Sequence, residues 1–349
     1  MHEIWYAIAV LSLTAYVVLD GFDFGAGALH LWVARSDAER RQVLGAIGPF
    51  WDGNEVWLLV AGGVLFVSFP RVLSSGVSGF YFAIFLVLWC LILRGISLEF
   101  RSHVSDSVWR QSWDFFFWVA SALLPVFFGA ALGNLLRGVP LNAEGWFELD
   151  LFTDFSPREP VGILDWYTVL VGAFAFAALT AHGAAFLCWK TEGPVRDRSR
   201  RAGRWFYGAV AVLWPVVTVA TAKVNPAFLS GLASRPIAWL LAAVAFAGLA
   251  MAMRALARER DCGAFLGSCA FLGGLSMATA VCVYPVMLRA TGNPALSMTT
   301  RNGGGDPAGL RTALVWFAIG FPLAVVYFVV VHRLHRGRVA AATADGDGY

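Results

Sequence analysis

Nine runs of about 20 mostly apolar residues dominate this chain, and that is the length an α-helix needs to cross the hydrocarbon core of a bilayer. The runs are 5–33, 50–69, 75–96, 115–136, 163–189, 205–222, 237–256, 265–288 and 313–331. They are apolar all round, whereas the strands of a membrane β-barrel alternate. The sequence therefore predicts an all-α polytopic membrane protein with nine transmembrane helices in one integral-membrane domain over residues 1–349. The first run reads as a retained span. No basic stretch precedes it, it is too long for a cleaved signal, and carboxylates stand where a cleavage site would be.

Composition agrees. Of 349 residues, 58% are hydrophobic and 14% charged, against roughly 45–50% and about 25% in soluble domains. Five cysteines without a CxxC argue against a zinc site or a disulfide framework. A net charge of +3 gives no reason to expect nucleic acid. Basic residues set the orientation. Eighteen lie in the odd-numbered connections and the C-terminal tail, and eight in the even-numbered ones. The positive-inside rule then predicts an external N-terminus and a cytoplasmic C-terminus. An acidic external loop is expected at about 137–162, with Glu144, Glu148, Asp150, Asp154 and Glu159. The run Asn302-Gly303-Gly304-Gly305-Asp306 reads as a flexible external turn, with an anion cradle as the alternative.

Ionisable groups inside spans cost about 2.5–3.5 kcal/mol each on insertion scales, so they ask for a reason. The first span carries Asp20 and Asp23, and a three-residue offset places both on one helix face. Asp52 and Glu55 repeat that offset where the second span opens. With the predicted orientation, all four carboxyls approach the cytoplasmic side of one hairpin, with Arg94, Glu99 and His182 available as charge partners. Coupled carboxyls at such a site suit proton uptake. Helix capping or bridging by the same groups is the structural alternative. Six histidines (His2, His30, His103, His182, His332, His335) place only His182 well within a span, so a haem bound by this chain's own ligands is not expected.

At these motifs the chain resembles subunit II of the cytochrome bd family of quinol oxidases. The matching stretches are 20–27 (DGFDFGAG), 47–58 (IGPFWDGNEVWL), 62–70 (GGVLFVSFP), 78–81 (SGFY), 94–101 (RGISLEFR), 133–140 (GNLLRGVP) and 293–299 (NPALSMT). They run in the family's order and span essentially the whole chain. The resemblance implies two four-helix bundles plus one peripheral helix. It also implies a heterodimer in the cytoplasmic membrane with a haem-bearing subunit I, with small single-span accessory subunits and membrane lipids as further partners. Haem b and haem d, or a b-type variant, would reside in subunit I, with quinol as substrate and dioxygen reduced to water. Asp52 would lie on the proton route with Asp23 near it, and Trp57 at the mouth of a dioxygen channel. A proton-coupled secondary transporter, which also uses intramembrane acids and glycine-broken helices, stays open as the alternative, as does a purely structural assembly subunit.

Overall fold

In the computed structural model, residues 1–340 are described, and helices account for most of them. α1 (His2–Val33) is followed by α2 (Asp37–Ile47), which a Ser36–Glu39 capping box starts. α3 (Trp51–Ser68), α4 (Pro70–Gly79) and α5 (Tyr81–Phe100) come next. α6 (Ser107–Arg137) and α7 (Trp166–Lys190) are capped by Asp106 and Asp165. α8 (Gly193–Val224), α9 (Pro226–Ser234), α10 (Pro236–Ala257), α11 (Asp261–Val283) and α12 (Pro307–Leu334) complete the set. Proline opens four helices (Pro70, Pro226, Pro236, Pro307), where its missing N–H costs nothing.

Eight of these helices are long and apolar enough to span a bilayer, and α2 with α3 makes a ninth across a 44° bend. The break falls at residues 48–50, where Gly48 still has helical dihedrals but Pro49 has no N–H to carry the helix ladder on. Two expected runs end differently. Run 75–96 is divided at Phe80 into α4 and α5, and run 265–288 stops at Val283, before Pro285 and a short strand.

The helices pack as two groups of four, α1/α3/α5/α6 and α7/α8/α10/α11, with α12 lying beside α3. Only Leu310 of α12 is buried, so this helix offers most of its apolar surface outward. The two groups meet where α1 crosses α7, and glycine sets that approach. A Cβ at Gly25 would lie 2.0 Å from the Leu179 carbonyl oxygen, and one at Gly183 would lie 2.2 Å from the Ala26 nitrogen. Without a strong hydrophobic drive between helices in lipid, such close backbone packing is a main source of association.

Each end of the helix assembly has its own chemistry. At one end, Asp114 accepts hydrogen bonds from His30 Nε2 at 2.7 Å, Arg40 Nη1 at 2.9 Å and Arg101 Nε at 2.6 Å. Asp261 accepts from Arg196, Arg200 and Arg338 at the same end, and Arg198 joins Glu39 to the Val33 carbonyl. At the other end, β1 (Val286–Leu288) and β2 (Met298–Thr299) pair antiparallel. They pack with Val139, Leu141 and Phe147 of the loop between α6 and α7. Arg137 anchors that loop through Asp165 and the Gly162 carbonyl.

The glycine run is not a flexible turn. Gly305 N donates to the Ser68 carbonyl at 2.9 Å, and Gly303 N to Thr299 at 2.9 Å. A Cβ at Gly303 would meet Val72 at 2.6 Å, and one at Gly304 would meet His2 at 2.6 Å. The three glycines are there because the backbone passes under α1 and α4 with no room for side chains.

The α1–α7 crossing makes a direct prediction. Gly183→Val should lower the stability of the purified protein by about 1–3 kcal/mol or more, since helix backbones rather than side-chain tips must move. Gly62→Ala, with nothing within 4 Å of the added carbon, should hold or slightly raise the thermal unfolding midpoint, since alanine favours a helix interior over glycine by about 0.5–1 kcal/mol.

Candidate functional site

The buried charges of the first helix group converge where α1, α3 and α5 meet. Asp20 and Asp23 are on consecutive positions of one α1 face, and both are sealed from solvent. Arg94, from the second half of α5, is likewise 0% exposed and gives Nη1 to Asp20 Oδ1 at 2.6 Å. Its Nη2 lies 3.4 Å from Glu55 Oε2, whose side chain keeps 26% of its surface open. The guanidinium is stacked 4.7 Å from the Phe24 ring and 5.9 Å from Trp51. Aromatic faces of this kind hold a desolvated cation well.

Asp23 is held differently. Its Oδ2 accepts from Asn54 Nδ2 at 2.8 Å, and the same amide nitrogen reaches the Leu19 carbonyl at 3.1 Å. Asp20 Oδ2, Asp23 Oδ1, Asn54 Oδ1 and the Tyr16 hydroxyl are buried with no hydrogen-bond partner among the described residues. Asp20 and Glu55 therefore share one guanidinium, with Asp23 beside them held by an amide. Burying a carboxylate without a partner is costly, so the Arg94 contact on Asp20 and the Asn54 amide on Asp23 are what hold these groups in place.

Asp52 is not part of this gathering. It is exposed on the first turn of α3. Asn54 occupies the α3 position that faces Asp23, and a residue two places earlier on a helix points about 200° away. Glu99 also stays outside, exposed near the end of α5, and no ion pair engages it among the described residues. His182 pairs with no acid. Its Nδ1 lies 2.8 Å from Ser268 Oγ and its Nε2 lies 2.8 Å from the Val18 carbonyl. Trp57 is 7% exposed on α3, with Phe321 and Phe328 of α12 at 6.1 and 5.6 Å between ring centroids.

Two members of the cluster, Asn54 and Tyr16, are not evident as candidates from the sequence. Asn54 is visible only as a neighbour of acids, and Tyr16 as one aromatic among many. Arg94 is visible, but not its stacking. His30, an expected end residue, is fully buried against Asp114. The available signal for Asp114 was an acid abutting the apolar run 115–136.

Haem bound between helices needs side chains with free nitrogens. His182 has both ring nitrogens engaged, and His30 commits Nε2 to Asp114. Among the described residues no three His, Cys, Asp or Glu side chains come together as metal ligands. His182 therefore has no ring nitrogen left for an iron.

A sequence profile described as "Cytochrome bd terminal oxidase subunit II" matches residues 1–335. The chain belongs to this family. The probable cytochrome oxidase subunit 2 of Haemophilus influenzae is 28% identical over 99% of this chain and 97% of that protein. Subunit 2 of the cytochrome bd-I ubiquinol oxidase of Escherichia coli K12 is 35% identical, over 64% of this chain and 56% of its own length. The cytochrome bd ubiquinol oxidase subunit 2 of Bacillus subtilis is 31% identical over 61% and 60%. The bd oxidase structure from Geobacillus thermodenitrificans shares the fold, with a TM-score of 0.73 at 19% identity, covering 95% of this chain and 98% of that one. The chain is thus subunit II of a bd-type terminal oxidase and a multi-span membrane protein.

In this subunit, Arg94→Met should destabilise the protein by about 3–5 kcal/mol, because it strands the Asp20 carboxylate in a dry site. Replacing both partners, Asp20→Leu with Arg94→Met, should recover most of that loss. Thermal unfolding of the single and double variants measures both.

Proposed function

We propose that this chain is the haem-free subunit II of a quinol:dioxygen oxidoreductase. It packs against a haem-bearing subunit I as a heterodimer and carries protons toward the oxygen-reducing site. The observation that carries the reading is the pairing of two sealed acids, Asp20 and Asp23, with the partly open Glu55 beside a single Arg94. A purely structural pair would need one acid for one base. The extra carboxyls, of which Asp23 Oδ1 has no partner among the described residues, are groups able to take up and release a proton without leaving bare charge behind.

The roles divide by geometry. Asp20, in contact with the guanidinium, is the fixed anion that holds Arg94 in place. Asp23, bound only by the Asn54 amide, is the carboxyl free to exchange its proton. Glu55 is partly open and links the cluster to the chain's exterior. Asp52, on the outer side of the same α3 turn, supplies the step between the exterior and Glu55. The basic ends of α5, α6 and α8 supply the cytoplasmic orientation. Haem b and haem d, or its b-type variant, belong in this reading to subunit I, as does the quinol site. Small accessory subunits would find their place on the outward apolar surface of the assembly. Trp57, buried between α3 and α12, would stand beside an apolar path for dioxygen.

The test is made on the purified complex. Asp23→Asn and Asp52→Asn should each lower quinol oxidase turnover about tenfold or more, with haem content and subunit ratio near wild type. Wild-type turnover in both variants, with normal assembly, would remove the proton-path reading. Loss of haem and of subunit I from the preparation would instead assign these acids a purely structural role.

A further inference from the structure

The α1 turn that presents Asp20 and Asp23 is gripped through its own backbone from two neighbouring helices. On one side, Asn54 of α3 donates to the Leu19 carbonyl. On another, His182 of α7 reaches the adjacent Val18 carbonyl at 2.8 Å. Both carbonyls already serve the helix ladder, so each takes a second, lateral hydrogen bond. A side chain reaches a mid-helix carbonyl in this way only where two helices nearly touch. His182 directly precedes Gly183, where α7 comes closest to α1.

The partners of His182 decide its form. A carbonyl oxygen only accepts, so Nε2 must carry the hydrogen. Nδ1 then accepts from the Ser268 hydroxyl of α11 at 2.8 Å. The ring is fully buried, lies parallel to Phe265 at 5.1 Å and has Phe22 edge-on at 6.1 Å. No carboxylate is among its hydrogen-bond partners. A second proton would create a cation with no counter-charge in an aromatic box.

We infer that His182 is a positioning residue for the acid cluster. It is a neutral imidazole whose tautomer is set by the Val18 carbonyl and whose ring is steadied by Ser268, and through Val18 it fixes the α1 turn from which Asp20 meets Arg94 and Asp23 meets Asn54. The second helix group thereby contributes to a site whose acids all lie in the first. This inference rests on the proton-path reading for its consequence in turnover, but its structural content is independent of that reading.

The test uses the intact two-subunit enzyme with His182→Phe, His182→Gln and Ser268→Ala. Two quantities are followed: backbone hydrogen exchange in α1 peptides covering residues 18–25, and turnover per haem. His182→Phe keeps the aromatic packing but loses the donor. It should raise exchange in that segment about tenfold and lower turnover about three- to tenfold. His182→Gln places an amide N–H at a similar reach and should restore both to within about twofold of wild type. Ser268→Ala removes the hydroxyl that steadies the ring and should raise exchange about threefold, and it carries the test by itself if His182→Phe does not assemble. Unchanged exchange in His182→Phe or Ser268→Ala, or equal losses in His182→Gln and His182→Phe, would overturn the inference. Raised exchange with wild-type turnover would uphold the positioning and overturn only the proton-path reading.

Discussion

A guanidinium and a carboxylate removed from water must satisfy each other, and the first helix group is organised around that necessity at Asp20 and Arg94. Desolvating two ions costs several kcal/mol apiece, and the attraction between them offsets this only with good geometry and further contacts. The 2.6 Å contact, the aromatic faces of Phe24 and Trp51 and the second carboxyl of Glu55 supply those contacts. As a result α1, α3 and α5 have little freedom in register. Sliding any one of them would leave a full charge in a dry interior.

The same requirement recurs at the charged end of the helices, with a different outcome. Asp114 and Asp261 are each surrounded by basic groups, so each acid there is outnumbered by its partners. Those clusters tie helix ends together and leave no carboxyl in excess. Among the buried charge clusters of the described residues, the Asp20 site alone has more acids than bases. That imbalance, rather than the presence of buried charge, separates a site suited to moving protons from one suited to holding helices. The two helix groups are coupled to it through the glycine-lined crossing of α1 and α7, which brings His182 within reach of the α1 backbone.

Much of this was legible before any coordinates. Apolar runs of spanning length show the helices, because lipid leaves a backbone few other ways to satisfy its polar groups. The helix starts at Asp106, Asp165 and Asp306 follow local capping chemistry. Asp20, Asp23 and Glu55 stand out as charges where charge is expensive. Less visible were the places where a local signal has two outcomes. An unbroken apolar run does not reveal the division at Phe80, and a glycine triplet suits both a loose turn and a tight passage under α1 and α4. Helical spacing puts Asp52 and Glu55 near one another, but it does not say which of them turns toward α1.

Sequence alone determined that this chain lives in a membrane, how many times it can cross, and which residues sit there at a cost. These follow from transfer free energies, which belong to each residue and its near neighbours. Tertiary structure decided which acid receives the arginine, which is bound by an amide, and which stays outside. It also turned His182 from a candidate charge partner into a donor to the α1 backbone. Those outcomes depend on angles between helices distant in sequence, and such angles are set by packing at contacts like Gly25 and Gly183, where the absence of a side chain lets two backbones meet.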